Sequence, residues 1–481
     1  MKKIFIIIIF ATTAILSNAQ NEIDALRYST QNHLGTARHA AMAGAFGSLG
    51  GEFSALSSNP AGIGMYQISE FTFTPSLSLN TNKSYYNQNN LLAYKSQFSV
   101  ENIGIVFSVP KNKSDWRRVN FGLGWNKLAE YNSNINIEGI NNSNSIVDKI
   151  IDLTNGTLTG ELTNGNGNAY SQMAWNTYLI DPVFDSNNNL IDGEYSSNFS
   201  LNSKYQQKKI RSSGSLNEFI ISIGGSYKEK LYVGASIGIP TIDYYEYSEY
   251  SEEELSDTSN NLRRMVLNEE ISTYGTGYNL KIGAIYRLAE NIKIGGSIHT
   301  PTYFSIEEDY NTSLMTFFKD SILDYSMGYF NPFKFNLITP LKASLSASTI
   351  INKNIIISAD YEVIDYSKNE YFTNGFEEEN EIIKNIYQNT ENIKIGAEIT
   401  FNPFVFRAGY ANFGSSLKDT DFSRENFSYG MGLNYGSYFF DIAYVLSQEE
   451  NQHQLYSDDL IDPIKIISTN HSILFTLGFR Y

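Results

Sequence analysis

The sequence contains no cysteine, which excludes a disulfide scaffold, a cysteine-ligated metal site and a thiol nucleophile. Positive charge is scarce, because 35 Lys and Arg residues stand against 51 Asp and Glu, a formal net charge of −16 in 481 residues. A nucleic-acid partner is therefore not expected, since neutralising phosphates requires a basic surface. Tryptophan is also rare, with 3 residues, although Tyr and Phe number 34 and 30.

After residue 19 the chain has no long apolar run, because no stretch reaches even about ten uninterrupted apolar residues. A membrane-spanning helix needs about 20. The N-terminus itself reads as a secretory signal peptide at 1–19, with Lys2 and Lys3, an apolar run and Ala19 at the cleavage site. That run is too short for a comfortable membrane anchor. An exported chain without spanning helices is either soluble or a closed barrel, because lipid cannot satisfy an open sheet edge.

Strict alternation of apolar with small or polar residues recurs along the chain after residue 70, which is the pattern of half-buried strands. The last segment shows it clearly, with Ile473, Phe475, Leu477, Phe479 and Tyr481 on one face. Fourteen strands are predicted, near 71–80, 97–109, 117–131, 216–227, 231–247, 272–288, 291–307, 333–348, 353–365, 391–400, 404–412, 427–435, 438–447 and 470–481.

The predicted connections alternate between short and long, and the longest is 132–215, which includes an amphipathic helical stretch near 146–153. Outer-membrane barrels sort their connections in this way, with short periplasmic turns, long outer loops and an even strand number. A soluble sandwich has no reason to do so. The sequence therefore predicts an all-β fold, a 14-stranded antiparallel transmembrane β-barrel over 70–481. The other long connections are predicted at 81–96, 248–271, 308–332, 366–390, 413–426 and 448–469.

The predicted inward face of the barrel is rich in glycine, and glycine inside a strand often marks the close approach of another backbone. We therefore expect a segment packed in the lumen. Residues 20–69, which precede the first strand and do not alternate, are the natural candidate for such an N-terminal plug, or hatch. The inward glycines are Gly122, Gly124, Gly234, Gly283, Gly295, Gly409, Gly430 and Gly432.

The hatch has a small-residue run at 33–51, a possible helical turn at Ser54-Ala55-Leu56, and then Asn59-Pro60-Ala61-Gly62. With these residues and fourteen strands the chain resembles the FadL/TodX family of outer-membrane transporters for hydrophobic compounds, including the branch often labelled hemin receptor. The resemblance implies a lumenal hatch that rearranges to pass a hydrophobic small molecule, fatty-acid-like or aromatic, without energy coupling. The implied gate residues are Phe53, Ser54, Ala55, Leu56, Asn59, Pro60, Ala61 and Gly62.

Two other functions stay open. A haem-binding receptor would need an axial ligand, and His33 and His39 are the histidines of the hatch. A barrel component of a protein-secretion system is the second alternative. No nucleophile elbow is present, so we expect no enzyme and no catalytic residue. We also expect no cofactor and no metal site.

Expected partners follow from an integral position in the outer membrane of a Gram-negative-type cell: membrane lipid, lipopolysaccharide and a hydrophobic small-molecule ligand. The C-terminal strand ending in Phe479 and Tyr481 predicts recognition by barrel-assembly machinery, and the chain is expected to be a monomer. Acidic runs at 252–254, 377–379 and 458–459 predict solvated loop charge, with divalent cations shared with lipopolysaccharide as the alternative. Pro240, Pro301 and Pro340 predict either strands leaving the bilayer or a kinked wall with a lateral exit.

Overall fold

The structure is a computed structural model that describes residues 22–111, 114–199, 203–255, 261–328, 332–418, 420, 422–456 and 460–481. The predicted signal peptide at 1–19 lies outside the described residues. The helices are α1 (Glu22–Ser29), α2 (Ala37–Ala41), α3 (Ile146–Thr154), α4 (Thr159–Thr163), α5 (Ala169–Asn176) and α6 (Glu377–Ile386), with 3₁₀ turns at Ser54–Ser57, Pro60–Met65 and Tyr366–Lys368.

The strands are far more numerous than the helices. They are β1 (Glu70–Tyr86), β2 (Asn89–Pro110), β3 (Trp116–Glu130), β4 (Ser133–Asn141), β5 (Ile180–Phe184), β6 (Leu190–Ser197), β7 (Lys204–Tyr227), β8 (Leu231–Glu254), β9 (Leu262–Arg287), β10 (Ile292–His299), β11 (Tyr303–Phe318), β12 (Ile322–Gly328), β13 (Phe333–Ile338), β14 (Lys342–Ile351), β15 (Ile355–Asp365), β16 (Glu370–Tyr371), β17 (Asn389–Phe401), β18 (Phe404–Phe413), β19 (Arg424–Tyr435), β20 (Tyr438–His453) and β21 (Ile464–Arg480).

One antiparallel sheet closes on itself as a 14-stranded barrel, which confirms the predicted fold class. Closure is made by β1 and β21, whose pairing runs from Glu70 opposite Arg480 to Tyr85 opposite Lys465. Three of the fourteen wall strands are each built from two consecutive segments: β3 with β4, β10 with β11, and β13 with β14. The small β5–β6 sheet stands apart from the wall.

Four of the seven predicted long connections, 81–96, 248–271, 308–332 and 448–469, consist mainly of strand, and there the sequence-based boundaries were wrong. The connection predicted at 81–96 is a hairpin in which β1 and β2 continue to a two-residue turn at Asn87 and Gln88. Both turn residues have positive φ, as a type I′ turn requires. β8 and β9 likewise extend to Glu254 and from Leu262. These wall strands are roughly twice the 9–11 residues that cross a bilayer, so the barrel wall projects well beyond it.

Side chains are distributed inside out relative to a soluble protein. Along each wall strand the large apolar residues are exposed on the outer face, while polar residues alternate with them on the buried lumenal face. In β3, for example, Phe121 and Leu123 are exposed on the outside, whereas Asn120 is buried inside. Such an apolar outer surface is compatible with lipid contact, since charge at the bilayer midplane costs about 2–4 kcal/mol. No described helix has the length and apolarity needed to cross a bilayer.

The three prolines lie at one level of the wall, Pro240 on β8 and Pro301 and Pro340 on the two strands beyond β9, and they interrupt backbone pairing there. β8 pairs with β9 up to Gly238 and resumes at Thr241, leaving Pro240 out of register. Pro301 separates β10 from β11, and Pro340 separates β13 from β14. The prediction of continuous strands at 291–307 and 333–348 was therefore wrong, because proline cannot donate a ladder hydrogen bond.

Above the lumen, residues 142–199 fold into a cap made of α3, α4, α5 and the β5–β6 hairpin. The cap has its own apolar core, which joins Val147, Leu162 and Met173 to wall residues such as Tyr250 and Leu314. The amphipathic helix predicted near 146–153 is confirmed as α3, which buries Val147 and Ile150 and leaves Leu153 exposed. Much of the longest predicted connection, 132–215, is thus a folded cap with its own helices and hairpin.

Candidate functional site: the hatch and the lumenal cavity

The hatch, residues 22–69 in the described structure, fills the lumen with short turns instead of long elements. Its two 3₁₀ turns, Ser54–Ser57 and Pro60–Met65, meet at Asn59. The Asn59 side chain caps the second turn by accepting from the Ala61 N–H at 3.0 Å, and Pro60 supplies the restricted φ that suits a first helical position. Asn59 also donates to the Gly47 carbonyl at 2.6 Å, which links the small-residue run at 33–51 to the two 3₁₀ turns.

All eight residues that the family resemblance implied as gate residues are buried together in this part of the hatch. Phe53, Leu56 and Ile63 form one apolar cluster with Tyr66 and the wall residues Val106 and Ile220. Ala55 packs in a second cluster with Met42, Phe46 and Leu49.

Wall glycines receive the hatch. A Cβ on Gly104 or Gly124 would lie 2.3 Å from the Phe53 ring, and one on Gly283 would lie 1.9 Å from Asn59. Gly122 and Gly224 accommodate Ile63 in the same way, and Gly234, Gly295, Gly409 and Gly430 face the hatch at Pro60, Gly47, Met42 and Ala41. The inward glycines therefore mark a docking surface, as expected, except Gly432, which lies against the wall residues Asp441 and Arg407.

Buried polar contacts also tie the hatch to the wall. The Arg38 guanidinium donates to both oxygens of Glu398, at 2.9 and 3.0 Å. Glu398 also accepts from Arg407 at 2.7 Å, and Arg407 reaches Asp441 at 2.5 Å. The bidentate geometry is the strong form of an arginine–carboxylate pair, so the hatch is anchored by charge as well as by shape.

A second tie joins the Ser54–Ser57 turn to the wall. The Ser57 hydroxyl donates to Glu218 at 2.9 Å, and Lys281 donates to both oxygens of the same carboxylate at 2.5 and 2.6 Å. Within the hatch, Glu52 accepts from the Thr36 hydroxyl at 2.7 Å and from the Ser54 N–H at 3.0 Å. Burial nevertheless raises the pKa of Glu52 to about 6.

The two hatch histidines lie side by side, with ring centroids 5.1 Å apart. Both His33 nitrogens face backbone carbonyls, Nδ1 that of Lys127 at 2.8 Å and Nε2 that of Ser54 at 3.2 Å, and the neutral ring donates to one of them. His39 holds the Leu34 carbonyl through Nδ1 at 2.9 Å, while its Nε2 has no partner. Burial lowers the pKa of both rings, that of His39 to about 3.

A cavity of about 570 Å³ lies between α1, the hatch and one side of the wall. His33, His39 and Ser58 line it from the hatch, and Thr300 and Pro340 line it where the proline interruptions weaken the wall. Its surface is mixed: apolar residues such as Leu26 alternate with a group of charged wall residues. That charged group consists of Lys342, Glu362, Lys394, Arg424 and Glu449, and Glu22 of α1 also lines the cavity.

The cap is fixed over the lumen by a buried carboxylate. Glu252 of β8 accepts from the Ile146 N–H at 2.9 Å and from the Ser145 hydroxyl, at the N-terminus of α3. Tyr250 and Gln206 donate to the same carboxylate at 2.6 and 3.0 Å. The prediction that the acidic run 252–254 is solvated was therefore wrong for Glu252, which is fully buried. Burial also raises the pKa of this carboxyl group. The run at 377–379 begins α6, where Glu379 is buried, and residues 458–459 lie outside the described residues.

Sequence reasoning found the hatch but missed the cavity. Its charged wall residues lie on five separate strands, β14, β15, β17, β19 and β20. Only strand register brings them together, so no local motif marks them. Among the described residues, no group of three or more His, Asp and Glu is arranged to hold a metal ion.

Neither the protein-family models nor the curated proteins include a match to this chain. Solved structures do match. A Pseudomonas aeruginosa FadL homologue superposes with a TM-score of 0.55 at 13% identity, over 94% of this chain and 99% of that one. The Pseudomonas putida toluene transporter TodX superposes with a TM-score of 0.54 at 13% identity, again over 94% and 99%. At this identity the likeness shows a shared fold along nearly the whole chain, and it confirms the fold that the sequence resemblance implied.

Proposed function

We propose that this protein is an outer-membrane channel that passes hydrophobic small molecules, fatty-acid-like or aromatic, without energy coupling. The observation that carries the proposal is the cavity, which reaches from the hatch to the interrupted wall at Pro340. The fold is shared with structures described as a toluene transporter and a monoaromatic hydrocarbon channel. An apolar outer surface, a filled lumen and a ligand-sized cavity are what such a channel requires.

In this proposal a ligand enters when the cap separates from the wall, collects in the cavity and then leaves by one of two routes. Movement of the hatch turns at 52–64 would open the periplasmic route. The wall around Pro301 and Pro340 supplies the second route, sideways into the bilayer, because backbone pairing is already interrupted there. The dense packing of the hatch on glycine supports the lateral route, since hatch movement would expose buried groups on both surfaces.

The location is part of the proposal. The chain would be a monomer in contact with membrane lipid and lipopolysaccharide, delivered by barrel-assembly machinery that reads the strand ending at Phe479 and Tyr481. Deletion of the gene should slow uptake of, or growth on, a long-chain fatty acid or an aromatic hydrocarbon, and expression from a plasmid should restore it. Unchanged uptake in the deletion strain, with each compound class tested, would contradict the proposal.

A haem receptor is the second candidate because His39 lines the cavity and its buried Nε2 makes no hydrogen bond within the described structure. His33 is less suited to ligation, since each of its nitrogens lies against a backbone carbonyl. Spectroscopic titration with haem should distinguish the candidates: a Soret shift that is lost in His39→Ala would support the receptor, and an unchanged Soret band would exclude axial ligation.

A further inference from the structure

The rim of the barrel at its short-turn end is basic on one side only. Within the described residues, three neighbouring turns with their strand ends, 109–118, 227–231 and 286–292, hold six Lys and Arg against three Asp and Glu, a net charge of +3. The other three short turns, at 350–356, 400–405 and 434–439, hold one cation, Lys353, and no carboxylate. The six cations are Lys111, Arg117, Arg118, Lys228, Lys230 and Arg287, and the three carboxylates are Asp115, Glu229 and Glu290. We call this group the basic sector, and it contrasts with a chain whose formal net charge is −16.

The basic sector is one continuous surface, because its turns bind each other. The Lys228 N–H donates to the Asp115 carbonyl at 2.8 Å, which joins the β2–β3 turn to the β7–β8 turn. The Arg287 N–H donates to the Lys230 carbonyl at 2.8 Å, which joins the β7–β8 turn to the end of β9. The charges of the three turns therefore act on the same neighbour.

Only part of the positive charge is neutralised within the sector. Asp115 pairs with Lys228 at 3.3 Å, and Glu229 pairs with Arg118 at 3.7 Å.

Three exposed cations remain. Within the described part of the chain, Lys111, Arg117 and Lys230 pair with no carboxylate, and all three are exposed. Arg117 lies where the pairing of β3 with β7 shifts register, between Trp116 and Arg118. Such a β-bulge re-aims the side chain of its extra residue. The three cations are thus available to a partner outside the chain.

The surface next to the basic sector is apolar and aromatic. Val109 and Leu288 are exposed on the outer face of the wall beside the turns. At the edge of this face the rings of Trp116 and Tyr227 pack edge to face, with centroids 5.5 Å apart, and the Lys228 ammonium lies 5.3 Å from the Tyr227 ring. Trp and Tyr are favoured where a bilayer meets water, so this pair marks the level of the lipid headgroups.

This position indicates the class of anion. A phospholipid places its phosphate at the headgroup level and its acyl chains on the apolar wall, so it would contact both parts of the surface at once. An acidic protein would contact the cations alone. Short turns face the periplasm in outer-membrane barrels, so the lipid would belong to the periplasmic leaflet.

We propose that Lys111, Arg117 and Lys230 form a binding site for an anionic phospholipid of the periplasmic leaflet, whose acyl chains lie on the wall beside Trp116. The inference rests on the membrane location in the proposed function and goes beyond it, because passage of a hydrophobic molecule requires no particular lipid. Each Lys or Arg near an anionic membrane surface contributes about fivefold in affinity.

Quenching of Trp116 fluorescence by brominated phospholipids tests the proposal. The chain has 3 Trp, so Trp125→Phe with Trp175→Phe leaves Trp116 as the only reporter. The full-length protein would be reconstituted in mixed bilayers of phosphatidylglycerol and phosphatidylcholine, with either lipid brominated. Phosphatidylglycerol should be preferred at Trp116 by at least about fivefold at low salt. Added salt should reduce this preference.

Charge variants then locate the site. The double variant Arg117→Gln with Lys230→Gln should lower the preference to about twofold or less, because two of the three unpaired cations are removed. Lys353→Gln is the matched control, since this lysine lies in a short turn on the other side of the rim, and it should leave the preference unchanged. Heat-modifiable migration on unboiled gels would verify folding. If the single-tryptophan protein does not fold, native mass spectrometry of the unmodified protein should show more bound phosphatidylglycerol than phosphatidylcholine at equal concentration.

The outcomes separate this inference from the proposed function. Equal quenching by the two lipids, or the same loss of preference in Lys353→Gln as in the double variant, would overturn the lipid site and leave the channel proposal intact. A hexaglutamate peptide that binds through Arg117 and Lys230, without a preference for phosphatidylglycerol, would also overturn it and assign the sector to an acidic protein. Absence of quenching by either brominated lipid would contradict the membrane location, and with it both proposals.

Discussion

The fit between Phe53 and the glycines of the wall makes a quantitative prediction. A Cβ on Gly104 would lie 2.3 Å from the Phe53 ring, which is itself buried between Gly104 and Gly124. Gly104→Ala should therefore weaken hatch docking by about 1–3 kcal/mol, the usual cost of overpacking. Phe53→Ala should cost about 3–5 kcal/mol, because it removes a buried aromatic ring and leaves a void.

The double variant distinguishes direct contact from general destabilisation. Without the ring, the new methyl group on Gly104 fills part of the void instead of colliding. The combined cost should thus be smaller than the two separate costs added together, by about 1 kcal/mol or more. Hydrogen-exchange mass spectrometry on peptides covering 53–66 measures these costs, since each 1.4 kcal/mol accelerates exchange about tenfold.

Gly296→Ala is the control, because a Cβ at that wall position meets its nearest atoms at an ordinary 3.5 Å. Its hatch peptides should exchange as in the unmodified protein. If Gly104→Ala also leaves exchange unchanged, or if the double variant shows full additivity, the docking of the hatch on glycine is refuted.

Three further perturbations test other contacts. Arg38→Met should loosen the hatch by about 1.5–3 kcal/mol, because Glu398 loses one of its two arginine partners and keeps Arg407, and bilayer recordings should show increased conductance. Glu252→Ala should remove the buried carboxylate that holds the N-terminus of α3 on β8 and speed exchange in 146–176, while exchange in 53–66 stays unchanged. Because the pKa of His39 is lower in the folded protein than its unfolded value near 6.5, the stability that its neutral ring contributes is lost as the pH falls below 6.5. The pKa of Glu52 is raised, so the stability contributed by its protonated form is lost as the pH rises from about 4.5 to 6. In Glu52→Gln, the free energy of hatch opening, obtained from exchange rates corrected for their intrinsic pH dependence, should therefore fall by about 2 kcal/mol when the pH is lowered from about 6.5 to 5. His39→Gln should make this decrease smaller.

The barrel was predictable because its constraint is local. A wall strand exposed to lipid on one face and to a packed lumen on the other must alternate at every residue, and strand glycines then mark where the hatch approaches. Strand ends were less predictable, since the outer extensions alternate as regularly as the membrane part. β8 continues past Pro240, and Ile242, Tyr244, Ser248 and Tyr250 are still buried at even-numbered positions.

The cap and the cavity depend on contacts between distant segments. From the sequence, Glu252 resembles a solvated loop residue, and only its contact with the N-terminus of α3 shows that it is a buried acceptor. Arg424 and Lys342 are linked through Gln31, which hydrogen-bonds to both side chains. Such contacts are set by barrel register and by the path of the N-terminal segment. A single sequence carries no periodic signal for either.

The central claim is that the lumen conducts hydrophobic molecules across the outer membrane. The most direct measurement is the initial uptake rate of a radiolabelled long-chain fatty acid and of radiolabelled toluene, in cells that lack other hydrophobe channels. Cells expressing this protein should take up at least one compound faster than vector-only cells, in a saturable manner and without dependence on the proton-motive force. Rates equal to those of vector-only cells for both compounds, with folded protein in the membrane, would contradict the account.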